Sequence, residues 1–225
     1  MPPRASCLES NDTIPSRSSQ PTTSQDELLS LASSELESMR QENSMERSFP
    51  PACLRLFHSS SQQNHLCVDC GSGTDVTWAS VSYGVTLCLS CSGRHRGLGV
   101  RCSYVKSLTL DSWNHFQVLA MLEGGNSQLS EFFTRHKMST RDYSTINAAL
   151  IDRYKTKAAS FYKQHLAKHV REVADSGVYL GREASREASK SRSKKGRKKG
   201  HREQKSQTLP TVEESKEAAL SESEH

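Results

Sequence analysis

The chain is 225 residues long, carries a net charge of +5, and is only 34% hydrophobic even before its 12 glycines are considered. With glycine included it still falls short of the ~45–50% apolar share of a globular domain, so the whole chain is too polar to be one packed unit. Its longest unbroken apolar run, Val118 to Leu122, excludes a membrane-spanning helix, which needs ~20 such residues.

The opening MPPRASCLES lacks the apolar stretch of a secretory leader, so a cytosolic or nuclear chain is expected. Residues 1–63 hold six of the seven prolines and fifteen serines. Such a segment buries too little apolar surface to offset chain entropy, and it is predicted to be largely disordered. Within it, residues 24–46 predict a short helix. Ser24 and Glu27 form a capping-box pattern, and Leu29, Ala32, Leu36 and Met39 follow as a narrow apolar stripe. Such a helix either frays in solution, the reading preferred here, or docks on a partner.

Residues 64–181 carry both tryptophans, all six tyrosines and no proline. They are predicted to form the folded domain. Val85 to Leu89 and Ser103 to Leu110 predict short strands. Ser112 to Leu122 predicts a helix with Asp111 as N-cap, Trp113 packed beneath, and Phe116, Leu119 and Met121 or Leu122 inward. Gly124-Gly125-Asn126 breaks it, and Leu129, Phe132 and Phe133 begin the next helix. Ile146, Leu150, Tyr154, Ala158, Phe161 or Tyr162, and Leu166 repeat near every fourth residue, which predicts one long or two stacked helices ending near Gly177. The expected fold class is α+β, a small sheet with a four-cysteine zinc finger packed against several helices and flanked by disordered tails. Residues 182–225 form the second tail. Its first part, 182–205, carries +8 and opens with a repeated REAS; its last part, 206–225, carries −4. The basic block therefore exceeds the net charge of the whole chain.

The cysteines hold the strongest signal. Cys67-x2-Cys70 is followed after seventeen residues by Cys88-x2-Cys91. Two such knuckles at this separation predict one tetrahedral Zn2+ site, each tight turn supplying two thiolates. Four sulfur ligands close the coordination sphere, so the expected zinc is structural. His65 and His95 lie nearby, but the spacing requires neither. Cys102 is expected to be a small buried residue, and Cys7 and Cys53 fall in the polar segment and point to nothing.

The residues around the knuckles choose a function. From Cys67 to Gly99 the chain reads C-V-D-C-G-x6-W-A-S-x3-G-V-T-L-C-L-S-C-S-G-R-H-R-G-L-G, and S-x-V-x-S-x-x-L-D-x-W follows from Ser103 to Trp113. Over about 110 residues this closely resembles the catalytic domain of Arf GTPase-activating proteins, whose hallmark C-x2-C-x16 or 17-C-x2-C-x4-R ends here on Arg96. The resemblance implies a zinc-containing protein that acts on a GTP-bound Arf-family GTPase in vesicle traffic. It implies Arg96 as the catalytic arginine, Cys67, Cys70, Cys88 and Cys91 as the metal ligands, and Trp78 and Asp111 as structural support. Two departures stand out. Val76 and Thr77 replace the proline usual before the tryptophan, and Ser82 replaces an asparagine two residues before Gly84. Ser82 leaves open a scaffold of the same fold with reduced activity.

The chemistry suits the residue. GTP hydrolysis needs charge stabilisation more than covalent catalysis, and a planar, permanently charged guanidinium can bridge the oxygens on which charge develops. Arg96 lies five residues past a metal ligand, and Gly93, Gly97 and Gly99 allow close approach. The competing structural role is an internal pair with a carboxylate such as Asp111. Arg94 and Arg101 are expected to be surface charges. A rival class is the GATA-like zinc finger, a nucleic-acid binder with nearly the same cysteine spacing. Against it, Trp78 is followed by Ala79-Ser80 rather than arginines, residues 92–101 do not read as a basic recognition helix, and the basic block lies some ninety residues beyond the last knuckle. For residues 182–205 an anionic membrane surface is the expected partner, with nuclear localisation or RNA binding as alternatives. The expected location is cytoplasmic, peripheral on Golgi, endosomal or plasma membrane, or nuclear through the basic tail.

Overall fold

A computed structural model describes residues 24–41, 47–138 and 152–191. Three short strands, β1 (Trp78–Ser80), β2 (Val85–Leu87) and β3 (Val105–Ser107), form an antiparallel sheet in the order β2-β1-β3. Trp78 pairs with Leu87 on one side and Ser107 on the other. Six helices surround it: α1 (Gln25–Gln41), α2 (Pro51–Ser59), α3 (Leu89–Gly97), α4 (His115–Glu123), α5 (Asn126–Arg135) and α6 (Lys157–Asp175). Residues 182–191 are also helical. The α+β class with a cysteine cluster is thus what the chain adopts. The sequence pattern missed β1, the central strand, whose three residues are too few for alternation to register.

The packed unit extends beyond both expected boundaries. Leu28, Ala32, Leu36 and Met39 of α1 are buried against the chain's own α2 and α4, so this helix docks in cis. Leu28 takes the inner position expected of Leu29. One half of the expected capping box is in place, the Glu27 amide donating to the Ser24 hydroxyl at 3.2 Å. A further contact explains the docking. Helix α2 has Pro50 as N-cap and no side-chain cap of its own. Glu35 of α1 replaces it, accepting the Ala52 and Cys53 amides at 3.1 and 3.0 Å. An anionic carboxylate on free N-terminal amides satisfies donors and complements the helix dipole together. Cys53, which drew no inference from sequence, is fully buried in this core.

The other end is anchored similarly. Arg182 and Arg186, one turn apart in the REAS repeat, donate to the carbonyls of Gly124 and Glu123 respectively, and both reach the Gln128 side chain. Helix α4 has no basic residue in its own last turn, and these two guanidiniums supply that charge from outside. Residues 182–191 therefore belong to the domain, a correction to the reading of 182–225 as tail. Residues 1–23 and 192–225 lie outside the described residues, as do Ile146 and Leu150.

Helix α4 starts later than expected. Asn114, not Asp111, is its N-cap, forming a reciprocal capping box with Gln117. Asp111 instead accepts the Ser107 amide at 2.6 Å and closes the turn after β3. Phe116, expected inward, is 53% exposed, while Val118 is buried. Trp113 is fully buried, with its indole donating to the Ser107 carbonyl at 3.0 Å and its ring edge-on to Phe49 at 4.8 Å. In α6 the inward residues are Ala159, Tyr162 and Leu166, and Phe161 faces out. The helix ends at Asp175, and Gly177 follows with φ +89°, the left-handed residue a helix end favours.

One backbone crossing positions the site. Gly84, φ +65°, lies so close to the end of α4 that a Cβ there would sit 2.3 Å from the Ala120 carbonyl oxygen, and one at Gly124 would sit 2.5 Å from that of Gly84. Only two glycines let the β1–β2 turn and α4 meet this closely. Next to them, Asn126 accepts the Thr86 amide at 2.9 Å and donates to the Leu66 carbonyl at 2.6 Å. It ties β2 to the chain entering the first cysteine knuckle.

Candidate functional site

The four predicted cysteines come together. The sulfurs of Cys67, Cys70, Cys88 and Cys91 all lie within 4.8 Å of one another, and Cys70 and Cys88 are 3.6 Å apart. Four thiolates at ~2.3 Å from a tetrahedral zinc would stand ~3.8 Å from each other, so the cluster fits such an ion. Local backbone bonding builds the arrangement. In the first knuckle the Cys67 amide donates to the Ser72 carbonyl at 2.7 Å, and the Gly71 amide to the Cys67 carbonyl at 2.8 Å. In the second, Cys88 is the N-cap of α3 and Cys91 lies in its first turn. The Cys67 thiol is pushed down to about 5, chiefly by a hydrogen bond from Cys91, with the amides of Cys70, Cys88 and Asp69 adding to it against burial. Cys91 is pushed up in return by the Cys67 sulfur.

Arg96 lies in the last turn of α3 and is exposed. Its guanidinium carbon sits 4.2 Å from the centre of the Trp78 ring. Among the described residues no carboxylate pairs with it. Asp111, the candidate internal partner, is occupied by the Ser107 amide. Trp78 therefore has two contacts. One side packs on the small core of Leu87, Cys67, Cys88 and Cys91, and the ring face braces Arg96. A cation on an indole face gains ~0.5–1 kcal/mol at an exposed site, enough to bias its orientation without locking it. Ser82, the departure noted above, accepts the Tyr104 amide at 2.9 Å and ties the β1–β2 turn to the segment entering β3.

Sequence reasoning missed the residue that joins these parts. Asp69 lies between the cysteines of the first knuckle. One of its oxygens meets His95 Nε2 at 2.9 Å; the other accepts Arg153 at 2.5 Å and the Tyr154 hydroxyl at 2.6 Å. Burial pushes this carboxyl up, but His95, with Arg153 and Tyr154, holds it down to about 2. His95 Nδ1 continues to Ser103 Oγ at 2.7 Å, which meets Ser80 Oγ at 2.7 Å. A carboxylate, an imidazole and a hydroxyl in line resemble a hydrolase triad, but Ser103 is only 2% exposed and no substrate reaches it. The chain's function is mechanical. It pins His95, the neighbour of Arg96, to the metal knuckle, the sheet and residues 153–154.

Because the native carboxyl is depressed, its contribution is present above the unfolded value of ~3.9 and is lost as pH falls toward about 2. At neutral pH, Asp69→Asn leaves the Arg153 guanidinium, whose side chain is 10% exposed, without its counter-charge. A stability loss of ~3–5 kcal/mol is expected, measured by urea unfolding. A loss under ~1 kcal/mol would mean that the pair is not held as described.

A three-stranded sheet carrying a four-thiol cluster that fits a metal ion, with a braced surface arginine one turn away and helices closing the other side, defines a small α+β domain. A family model, ArfGap, described as GTPase activating protein for Arf, matches residues 53–171. The chain belongs to this family. It is 43% identical over 104 residues to ADP-ribosylation factor GTPase-activating protein 3 of Mus musculus, a match covering 46% of this chain and 18% of that protein. It is 43% identical over 75 residues to ADP-ribosylation factor GTPase-activating protein GCS1 of Saccharomyces cerevisiae, covering 33% and 21% respectively. The chain thus spans about a fifth of the length of these relatives. A crystal structure from Cryptosporidium parvum, of a proposed GTPase activating protein for ADP ribosylation factor, has a TM-score of 0.45 and 25% identity, covering 60% of this chain and 93% of that one.

Proposed function

We propose that this chain is a GTPase-activating protein for GTP-bound Arf-family GTPases, with Arg96 entering the partner's active site in trans. The observation that supports this most is the state of Arg96: exposed, free of any carboxylate among the described residues, and braced on Trp78 one turn beyond the thiol cluster. The chain is then an activator rather than a hydrolase. Its guanidinium stabilises charge that develops on the transferred phosphoryl group and leaving oxygen, a contribution of ~10³–10⁵ in rate for arginine fingers generally. Such a gain requires rigidity, because a misplaced charge forfeits it. Three restraints favour rigidity here: the second cysteine knuckle at the start of α3, the Asp69–His95 contact, and the Trp78 ring.

Cys67, Cys70, Cys88 and Cys91 would hold Zn2+, which when bound supplies a closed structural cross-link between the two knuckles. Residues 182–205 would contact anionic membrane, the 182–191 part from within the fold and the remainder as a polybasic extension. Such a contact would put the chain peripherally on Golgi, endosomal or plasma membranes from the cytoplasm, or in the nucleus if the basic stretch serves as an address.

The test is hydrolysis of GTP by an Arf protein and by an unrelated small GTPase, each with and without the full chain. Acceleration confined to Arf is expected. Arf binding without acceleration would instead support a scaffold, and sequence-specific duplex-DNA binding without either would support the nucleic-acid reading.

A further inference from the structure

The helix at residues 182–191 carries no apolar side chain larger than alanine, with Ala184 half-buried and Ala188 exposed. Apolar burial therefore contributes little, and polar contacts hold it in place. Near its start, Arg182 and Arg186 serve the end of α4. Near its end, the half-buried Ser189 hydroxyl lies 3.0 Å from His169 Nδ1 of α6. An element held this way opens locally at a small fraction of the free energy that unfolds the domain.

The same residues repeat a pattern. Arg182-Glu-Ala-Ser185 and Arg186-Glu-Ala-Ser189 each place an arginine three residues before a serine, and Lys190 and Arg192 follow the second. Serine kinases that choose targets by charge read cations placed in this way. In the docked helix neither determinant of the second repeat is free. Arg186 Nη2 donates to the Glu123 carbonyl at 2.6 Å, and the Ser189 hydroxyl is turned to α6. Undocking presents both at once.

A phosphate on Ser189 opposes the return of the helix, for three reasons. First, the tautomer of His169 that gives its Nε2 proton to the Glu123 carboxylate, 2.7 Å away, leaves Nδ1 to accept from Ser189. An esterified serine oxygen has no proton to give. Second, Glu172 Oε2 is 3.5 Å from the same hydroxyl and would face ~1.5–2 added negative charges. Lys168 is already paired with Glu172 at 3.8 Å, which leaves His165 as the remaining cationic candidate on that side of α6. Third, the nearest strong cations, Arg186 and Lys190, belong to the same helix and move with the phosphate. Arg186, three residues away on one helix face, is drawn to it and away from the Glu123 carbonyl.

We infer that Ser189 is a phosphorylation site for a serine kinase that selects basic sequences, and that its phosphorylation holds residues 182–191 off α4 and α6. Ser189 Oγ attacks the γ-phosphorus of the nucleoside triphosphate bound by the kinase. The new Oγ–P bond replaces the bond from that phosphorus to the β–γ bridging oxygen. The nucleoside diphosphate leaves with the bonding pair, and the hydroxyl proton passes to the catalytic carboxylate of the kinase. Docking and phosphorylation then oppose each other reciprocally. None of this depends on the GTPase partner proposed above.

The test uses the full chain with Ser185→Ala, so that Ser189 keeps its own arginine and is the one serine left in the repeat. It is incubated with magnesium ATP and the catalytic subunit of cyclic-AMP-dependent protein kinase, and phosphate is mapped by mass spectrometry. Phosphate on Ser189 is expected. Amide hydrogen exchange across 182–191 should then rise about tenfold, the effect of losing one charge-assisted hydrogen bond, with β1–β3 unchanged. Adding Gln128→Ala removes a partner of both arginines and leaves residues 182–193 intact, so phosphorylation should be faster by a similar factor. Absence of phosphate from Ser189 in both chains overturns the site. Phosphate on Ser189 with exchange unchanged or slowed overturns the release of the helix, since the phosphate is then accommodated in the docked state. Equal rates with and without Gln128→Ala overturn the requirement that the helix leave first.

Discussion

A strong zinc chelator added to the full chain should unfold at least the segment from Cys67 to Leu98, with loss of the near-UV circular dichroism of its one tryptophan, Trp78. The size of the effect follows from how little else surrounds the thiols. Apart from the thiols, the core around the cluster consists of Leu87 with the partly buried Val68, Val76 and Trp78. Ala79, Tyr83 and Val85 of the intervening loop pack into the main core, so the two knuckles themselves depend most on the metal to offset the entropy of ordering them. A structural zinc contributes on the order of 10 kcal/mol. The damage would spread. Asp69 lies between Cys67 and Cys70, so loss of the knuckle withdraws the carboxylate from His95 and Arg153. A melting temperature and tryptophan spectrum unchanged by chelation would show that the cluster holds no structural metal.

Arg96→Lys should leave the fold and metal content unchanged and remove nearly all activation. Arg96 is exposed and lies over the Trp78 ring, and among the described residues it pairs with no carboxylate, so its replacement disturbs no buried pair there. Lysine keeps the charge and much of the length. It lacks the planar fork that can bridge two oxygens at once, and its ammonium is more strongly hydrated. The expected loss is ~10³-fold or more, the scale of arginine-finger removal. The contrast with Asp69→Asn is informative. That variant should lose stability first and activity through it, whereas Arg96→Lys should lose activity alone.

The four-thiol cluster was legible in the sequence because the cysteine spacing is local: two residues between cysteines fix a turn, and two turns bring the sulfurs together. The helix-start pattern at Ser24, the capping role near residue 114 and the chain reversal after Gly177 were legible in part for the same reason, although the N-cap fell on Asn114 rather than Asp111. What escaped was set by distant partners. Asp69 and Arg153 meet across 84 positions, and nothing near either residue signals the other. The composition of residues 1–63 reads as solvated chain with a short helix at 24–46 that frays, yet Glu35 caps α2 across 17 and 18 positions and draws α1 onto the domain. The REAS repeat reads as charge, but its arginines serve carbonyls at the end of α4, more than fifty positions away. Each of these three is a charged side chain satisfied by tertiary contact, a feature that pattern and composition do not encode.

The most direct measurement is single-turnover GTP hydrolysis by a GTP-loaded Arf protein, with wild-type chain and Arg96→Lys compared at matched zinc content and matched melting temperature. The prediction is strong acceleration by the wild type and a rate near that of Arf alone with the variant. Equal acceleration by the two proteins would contradict the assignment of Arg96 as the group that completes the GTPase site.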